Sequence, residues 1–391
     1  MTTRKRNALI LAVILVASVV GFVLATMGQP SSTRGSTLDA IPADAFLVAT
    51  VDVAALRDCP LAAPLAPFVS QLGADEVSKQ CGFEPITRVR ELSVAIPEGQ
   101  DGEFGILARA DVTRAEMSTC TKAVIAGRGG TPSEGKSSTF TLVGDDSSML
   151  SSPSKVAFDD RGLVLVGRGG WLDEMIAASK SERPRLSTNA QHTELRSALG
   201  QGRLLVLTAT LPSALRKKIE REFQSDAQGE NDLMKGVLGV GAAGVALGTT
   251  GTVTEIALEL RCDSPEDCTA VERLLEKKKK EWSSNIGMRF LGVAALVDDL
   301  TVKVEGQKLH GTAHLPTEDA KRLVERLIEM RAGGNPKPSA LDAGAPLPTP
   351  RENISPSEVM SAKPLKNGSI DPSSPRDHQT SPRRSADAGA Q

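Results

Sequence analysis

The sequence predicts an α+β fold: two related units of antiparallel sheet backed by helices, preceded by one N-terminal transmembrane helix and followed by a disordered tail. Three observations predict it. An uncharged run, Ala8 to Ala25, stands near the start of the chain. A succession of short apolar strands and amphipathic helices then occurs twice, and from Gly333 onward that periodicity gives way to Pro, Ser, Ala and Asp.

At about 1.5 Å of rise per residue, the run 8–25 reaches roughly 27 Å as a helix, close to the hydrocarbon thickness of a bilayer. Arg4, Lys5 and Arg6 precede it and only Arg34 follows closely, so the positive-inside bias predicts a single-pass protein of the inner (cytoplasmic) membrane with its body in the periplasm. The run exceeds the roughly 7–15 apolar residues of a cleaved signal, which favours an anchor over cleavage after Ala25. The expected layout is 1–27 stub and anchor, 28–37 linker, 38–185 first unit, 186–332 second unit and 333–391 tail. A tail of this composition buries too little apolar surface to offset its conformational entropy.

In the first unit, Ala45 to Val51 reads as a buried strand leading into a short helix broken near Pro60 and Pro64. A polar helix around Asp75 to Gln80 follows, and then Glu91 to Ile96 and Phe104 to Ala110 form a hairpin. Arg114 to Ala126 is helical, Thr139 to Val143, Lys155 to Phe158 and Leu163 to Val166 are strands, and Trp171 to Ser179 is a helix. The order then restarts. FLVATVDVAALR, Phe46 to Arg57, faces LVLTATLPSALR, Leu205 to Arg216, and both end in Ala-Leu-Arg. AAGVAL, TEIALEL and a helix from Pro265 to Trp282 match the earlier succession, which identifies an internal repeat. Leu300 to Val304 and Lys308 to His314 make a closing hairpin about Glu305-Gly306, and Leu323, Leu327 and Met330 recur at helical spacing behind it.

With 46 basic and 48 acidic residues, the chain has no bulk pull toward nucleic acid. Its aromatic content of 3% with no Tyr gives no stacking platform. In an oxidising compartment the five cysteines form at most two disulfides within the chain. Cys59 with Cys81, and Cys262 with Cys268 across RCDSPEDC, are the preferred pairs; Cys120 is then the odd thiol on a helix.

Several motifs match a pattern but fail its context. Gly130 to Ser137 satisfies G-x-x-x-x-G-K-[ST], yet a phosphate-cradling loop needs a strand before it and a helix after it. Here the order is reversed, so no nucleotide is expected. Gly239 to Gly244 fits G-x-G-x-x-G but stands between helix and strand, as a Gly-rich turn. Gly167 to Gly170 has the required order, strand then helix, and reads as a tight turn. His310 and His314 share a strand face with no carboxylate or thiol at a matching position on that strand, which leaves the metal set incomplete. Lys277 to Lys280 lies between Glu276 and Glu281 on a helix and suits a solvated face.

The stretches IPADAFLVATVDVAAL, CGFEPITRVRELSVAI, DDRGLVLVGRGGWLDEMI and LSTNAQHTELRSALGQGRLLVLTATL resemble a repeated α+β domain of unknown function in membrane-anchored bacterial envelope proteins. The resemblance covers about Leu38 to Arg331 and brings no catalytic residues. The expected function is a non-enzymatic, membrane-anchored periplasmic protein that binds an envelope partner or an apolar small ligand, without cofactor or metal. The rival expectation is an extracytoplasmic enzyme with a site assembled from distant residues, to which Cys120 or His192 would contribute.

Overall fold

The computed structural model describes residues 36–331 except 67–72, 99–102, 148–152, 213–215, 218–236, 286–287 and 290–291. The 8–25 run, most of the 28–37 linker and the 333–391 tail lie outside the described residues. Among those described, no helix is long and apolar enough to cross a membrane. The single-pass anchor, and with it the inner-membrane placement and the membrane partner, is corrected on that finding and not carried further.

Strand β1 (Ala45–Asp52) hands over to α1 (Val53–Arg57), where the Asp52 carboxylate accepts from the Ala55 amide as an N-cap. A 3-10 turn over Pro60–Leu65 and α2 (Ala74–Cys81) lead to β2 (Val89–Pro97) and β3 (Gly105–Ala110). Helix α3 (Arg114–Gly127) opens on a capping box between Thr113 and Glu116. Four strands follow, β4 (Pro132–Ser137), β5 (Phe140–Asp145), β6 (Ser154–Phe158) and β7 (Leu163–Arg168), and then α4 (Gly170–Ser179) and α5 (Ala190–Leu199). The rest comprises β8 (Leu205–Thr210), β9 (Val240–Thr250), β10 (Val253–Cys262), α6 (Pro265–Ser284), α7 (Val293–Asp299), β11 (Thr301–Glu305), β12 (Lys308–Pro316) and α8 (Thr317–Arg331).

The two expected sheets are one. Among the described residues, twelve strands form a single antiparallel sheet in the order β11-β12-β10-β9-β8-β1-β2-β3-β7-β6-β5-β4. Its middle is the β1–β8 pair, in register from Leu47 opposite Ala209 to Val51 opposite Leu205. The succession β1-β2-β3-α3-β6-β7-α4 on one side corresponds to β8-β9-β10-α6-β11-β12-α8 on the other, and the β4–β5 hairpin is an addition to the first half. The strands with matching sequences, β1 and β8, are the ones that fuse the halves. An apolar strand face buried on both sides has no reason to stop at a unit boundary, because unpaired central edges would leave buried amides and carbonyls unsatisfied.

Alternation sends side chains to opposite faces of the sheet. Val48, Ala95, Leu107 and Leu165 meet Trp171 and Met175 of α4 on one face. On the other, Val51 and Leu92 meet Leu56, Leu61 and Ala320 from α1, the 3-10 turn and α8. In the second half, Leu260, Cys262 and Leu309 pack under Cys268 and Val271 of α6.

Cys262 is bonded to Cys268. Cys81 is bonded to Cys120, which ties α2 to α3, and Cys59 is a buried free thiol with its Sγ 3.8 Å from Thr249 Oγ1. The expected Cys59–Cys81 pair is thus corrected: Cys59 stands at the start of the 3-10 turn and packs with Val51 and Leu92, while Cys81 and Cys120 face each other between two helices.

Candidate functional site

Two adjoining hollows lie where α5 meets the ends of the central strands. One, of about 400 Å³, is lined by Gln191, Glu194, Arg261, Asp263, Glu305 and Lys308 among others. Its neighbour, of about 440 Å³, takes in Asp44, Phe46, Glu98, Asn189, Leu211 and Arg216. Gln191, Gly241 and Asp263 line both, so they form one open groove. Asn189 is the N-cap of α5 and its side chain accepts from the Gln191 and His192 amides, which sets that helix end at the groove floor. Arg216 pairs with Asp263, Asp44 pairs with Arg183 at 3.2 Å, and Arg261 pairs with Glu259 at 3.1 Å. The groove is polar, with mixed charge.

Beside the groove, Glu259 on β10 is almost fully buried, with 1% of its surface exposed. It stands directly opposite His310 of β12 and pairs with the His310 Nδ1 atom. Burial pushes its carboxyl above the usual carboxylate range, while His310 and Arg261 pull the other way. Four residues along, Glu255 stands opposite His314, but its carboxylate accepts from Arg203 at 2.8 Å, which holds its pKa down. His314 instead pairs with Asp299 at 3.3 Å. The two histidines therefore each take a carboxylate from another element, which sequence spacing along one strand could not show. They do not converge, and among the described residues no group of three or more His, Cys, Asp or Glu side chains could hold a metal.

His192 lies on the buried face of α5, fully enclosed. Its Nε2 donates to the Ala45 carbonyl at 3.0 Å, so Nδ1 accepts from the Thr208 hydroxyl at 2.8 Å. The neutral ring is thus satisfied on both sides and bridges β1 to β8, and burial lowers its pKa. A lowered pKa means that below the ordinary value of 6.5 the unfolded chain takes up a proton that the folded ring refuses. The stability it contributes is complete above that value and falls as pH drops below it, by up to about 1.4 kcal/mol per pH unit. Thermal denaturation between pH 8 and 5 is expected to show this loss in the wild type, and a smaller slope in His192→Gln.

The other sequence motifs have structural explanations. Gly130 to Ser137 runs into β4, paired residue by residue with β5, so Lys136 projects from an edge strand. Of Gly239 to Gly244, only Gly239 is a turn residue, and Val240 to Gly244 open β9. A Cβ at Gly244 would meet Leu199 of α5 at 2.9 Å, and one at Gly239 would meet the Asp267 carboxyl at 2.3 Å, so these glycines allow two helices to approach the sheet. Gly169, with φ of 60°, makes the sharp turn from β7 into α4, next to a hollow of about 280 Å³ lined by Lys155 and Asp173. Cys120, in its disulfide, is not an available thiol.

No protein-family model and no curated protein matches the chain. Among solved structures, crystal form III of TP0453 matches with a TM-score of 0.43 at 13% identity, over 75% of this chain and 99% of that one. Crystal form I gives 0.41 at 12% identity over 75% and 98%, and crystal form IV gives 0.40 at 12% over 75% and 97%. The similarity to TP0453 is distant and partial, and it concerns the fold.

Proposed function

We propose that this chain is a non-catalytic binding protein of an oxidising compartment, and that it holds a polar segment of a partner in the groove between α5 and the ends of β9 and β10. The observation that carries the reading is the groove itself. Residues of both halves line it, Asp44 and Phe46 from the first and Asp263 and Arg216 from the second. Its lining supports a polar partner rather than the apolar small ligand expected from sequence, because apolar ligands take enclosed apolar cavities. The two disulfides support the compartment, since such bonds persist outside the reducing cytosol. We read 38–185 and 186–332 as related units joined through one sheet, with the groove at the end of their seam.

The reading is tested by placing a photoreactive benzophenone side chain at Gln191, in the groove, or at Lys155, in the smaller hollow beside α4. Irradiation of cells that make the protein is expected to give a discrete adduct from position 191 only. Adducts of equal yield from both positions, or none from 191, would contradict it.

A further inference from the structure

The two edges of the sheet are built differently. At the β4 edge, the two-residue turn after Ser137 makes Ser137–Phe140 the closing hydrogen-bonded pair, so alternate residues from Ser137 back bond inward to β5. Pro132, Glu134 and Lys136 therefore present their backbone outward. Proline has no N–H to offer, and the charged side chains keep their hydration, so this edge carries the features that block strand addition.

At the β11 edge, the turn Gly306-Gln307 makes Glu305–Lys308 the closing pair, and Lys303–His310 and Thr301–Thr312 bond inward. The residues with outward backbone are Val302 and Val304. Neither is proline nor charged, and both side chains are half-buried against the cluster of Leu275, Val271 and Leu309. Helix α6 lies along this edge, from the Cys262–Cys268 disulfide at one end to Lys279, whose Nζ donates to the Leu300 carbonyl, at the other. Its sheet-facing stripe, Cys268, Val271, Leu275, Lys279, continues to Trp282, which is 43% exposed. Among the described residues, the outward amides and carbonyls of Val302 and Val304 have no backbone partner, and they lie beside an apolar helix flank.

We propose that β11 is an open docking edge, at which an extended peptide segment of a partner protein, reading apolar–acidic–apolar, adds antiparallel as a further strand. Strand addition draws its affinity from main-chain hydrogen bonds and its specificity from alternate side chains. Residues opposite Val302 and Val304 would point to the α6 side, where apolar groups fit. The residue opposite Lys303 points to the other, exposed face, where a carboxylate pairs with it. A second copy of this chain fits poorly, because the symmetric pairing of Thr301–Glu305 with itself sets Lys303 against Lys303, and like charges directly opposite destabilise a strand pair.

The test uses the full chain and a fluorescein-labelled peptide, Lys-Val-Glu-Val-Thr, whose antiparallel alignment on Thr301–Glu305 sets Glu opposite Lys303. Saturable anisotropy binding is expected in the wild type. Val304→Pro removes one outward N–H without touching the β11–β12 ladder, and it should weaken binding at least tenfold. Lys303→Glu should weaken it similarly and regain affinity for the peptide with Lys at its centre. No saturable binding, or equal binding to Val304→Pro and the wild type, overturns the proposal. So does a wild-type dimer in sedimentation that Val304→Pro dissolves, which would assign the edge to a second copy.

Discussion

Truncating Trp171 to alanine is expected to destabilise the protein by about 3–5 kcal/mol, the range for a large aromatic removed from a packed core. Trp171 has no exposed surface and sits at the first turn of α4, against the cluster of Leu107, Leu165 and Met175. The sheet makes room for it at Gly105, where a Cβ would come within 2.8 Å of the indole Nε1 and 2.4 Å of Met175 Sδ. The indole N–H finds no hydrogen-bond partner among the described residues. Trp171→Phe keeps most of the ring contacts and removes that unsatisfied donor, so it should cost less than half as much. Urea unfolding of the two variants checks the difference; equal losses would mean that the N–H is paired or the cavity collapses.

Removing the Cys81–Cys120 disulfide is expected to have the next largest effect. It closes a separation of 39 residues, for which loop-closure entropy predicts a loss of roughly 4 kcal/mol. The Cys262–Cys268 bond closes only 6, for which the same relation gives about 2 kcal/mol. Serine pairs at each site, compared by denaturant midpoint, should therefore rank in that order. Cys81→Ser alone should also leave Cys120 as a new titratable thiol in the folded protein. With the Cys81–Cys120 bond, Cys120→Ser should raise the count of free thiols from one to two; if the Cys59–Cys81 bond formed instead, it would lower that count to none and leave stability nearly unchanged.

What sequence could show follows from local physics. Val- and Leu-rich alternation at β1, β2, β3 and β7, and the capping residues Thr113 and Ser264, mark elements whose local preferences agree with their burial. Strand β4 is not legible, because Pro132, Gly135 and Lys136 are poor strand formers and only the hairpin with β5 holds them extended. Strand β9 is only partly legible: AAGVAL reads as a strand, but its first residues, Val240 to Gly244, read with Gly239 as a turn, because the small residues that let Leu199 approach Gly244 and Asp267 approach Gly239 are also turn formers. The seam between β1 and β8 is a long-range pairing that the matching sequences of the two strands could not distinguish from two separate sheets. In the groove, Gln191, Asp263 and Arg216 carry no motif and meet only because the seam brings their elements together. Lone histidines gave a partial signal, but Glu259 and Asp299 reach them from other elements.

The most direct test of this account is native-state hydrogen exchange at the seam. The Asp52 amide bonds the Leu204 carbonyl at 3.0 Å, which fixes the alternation so that Val48 and Thr50 bond Thr208 and Val206 across the pair. Peptides covering 45–52 and 205–210 are predicted to exchange only through global unfolding, with one cooperative transition for both halves. Early exchange of either strand, or two separate transitions, would contradict a single sheet and the groove built at its seam.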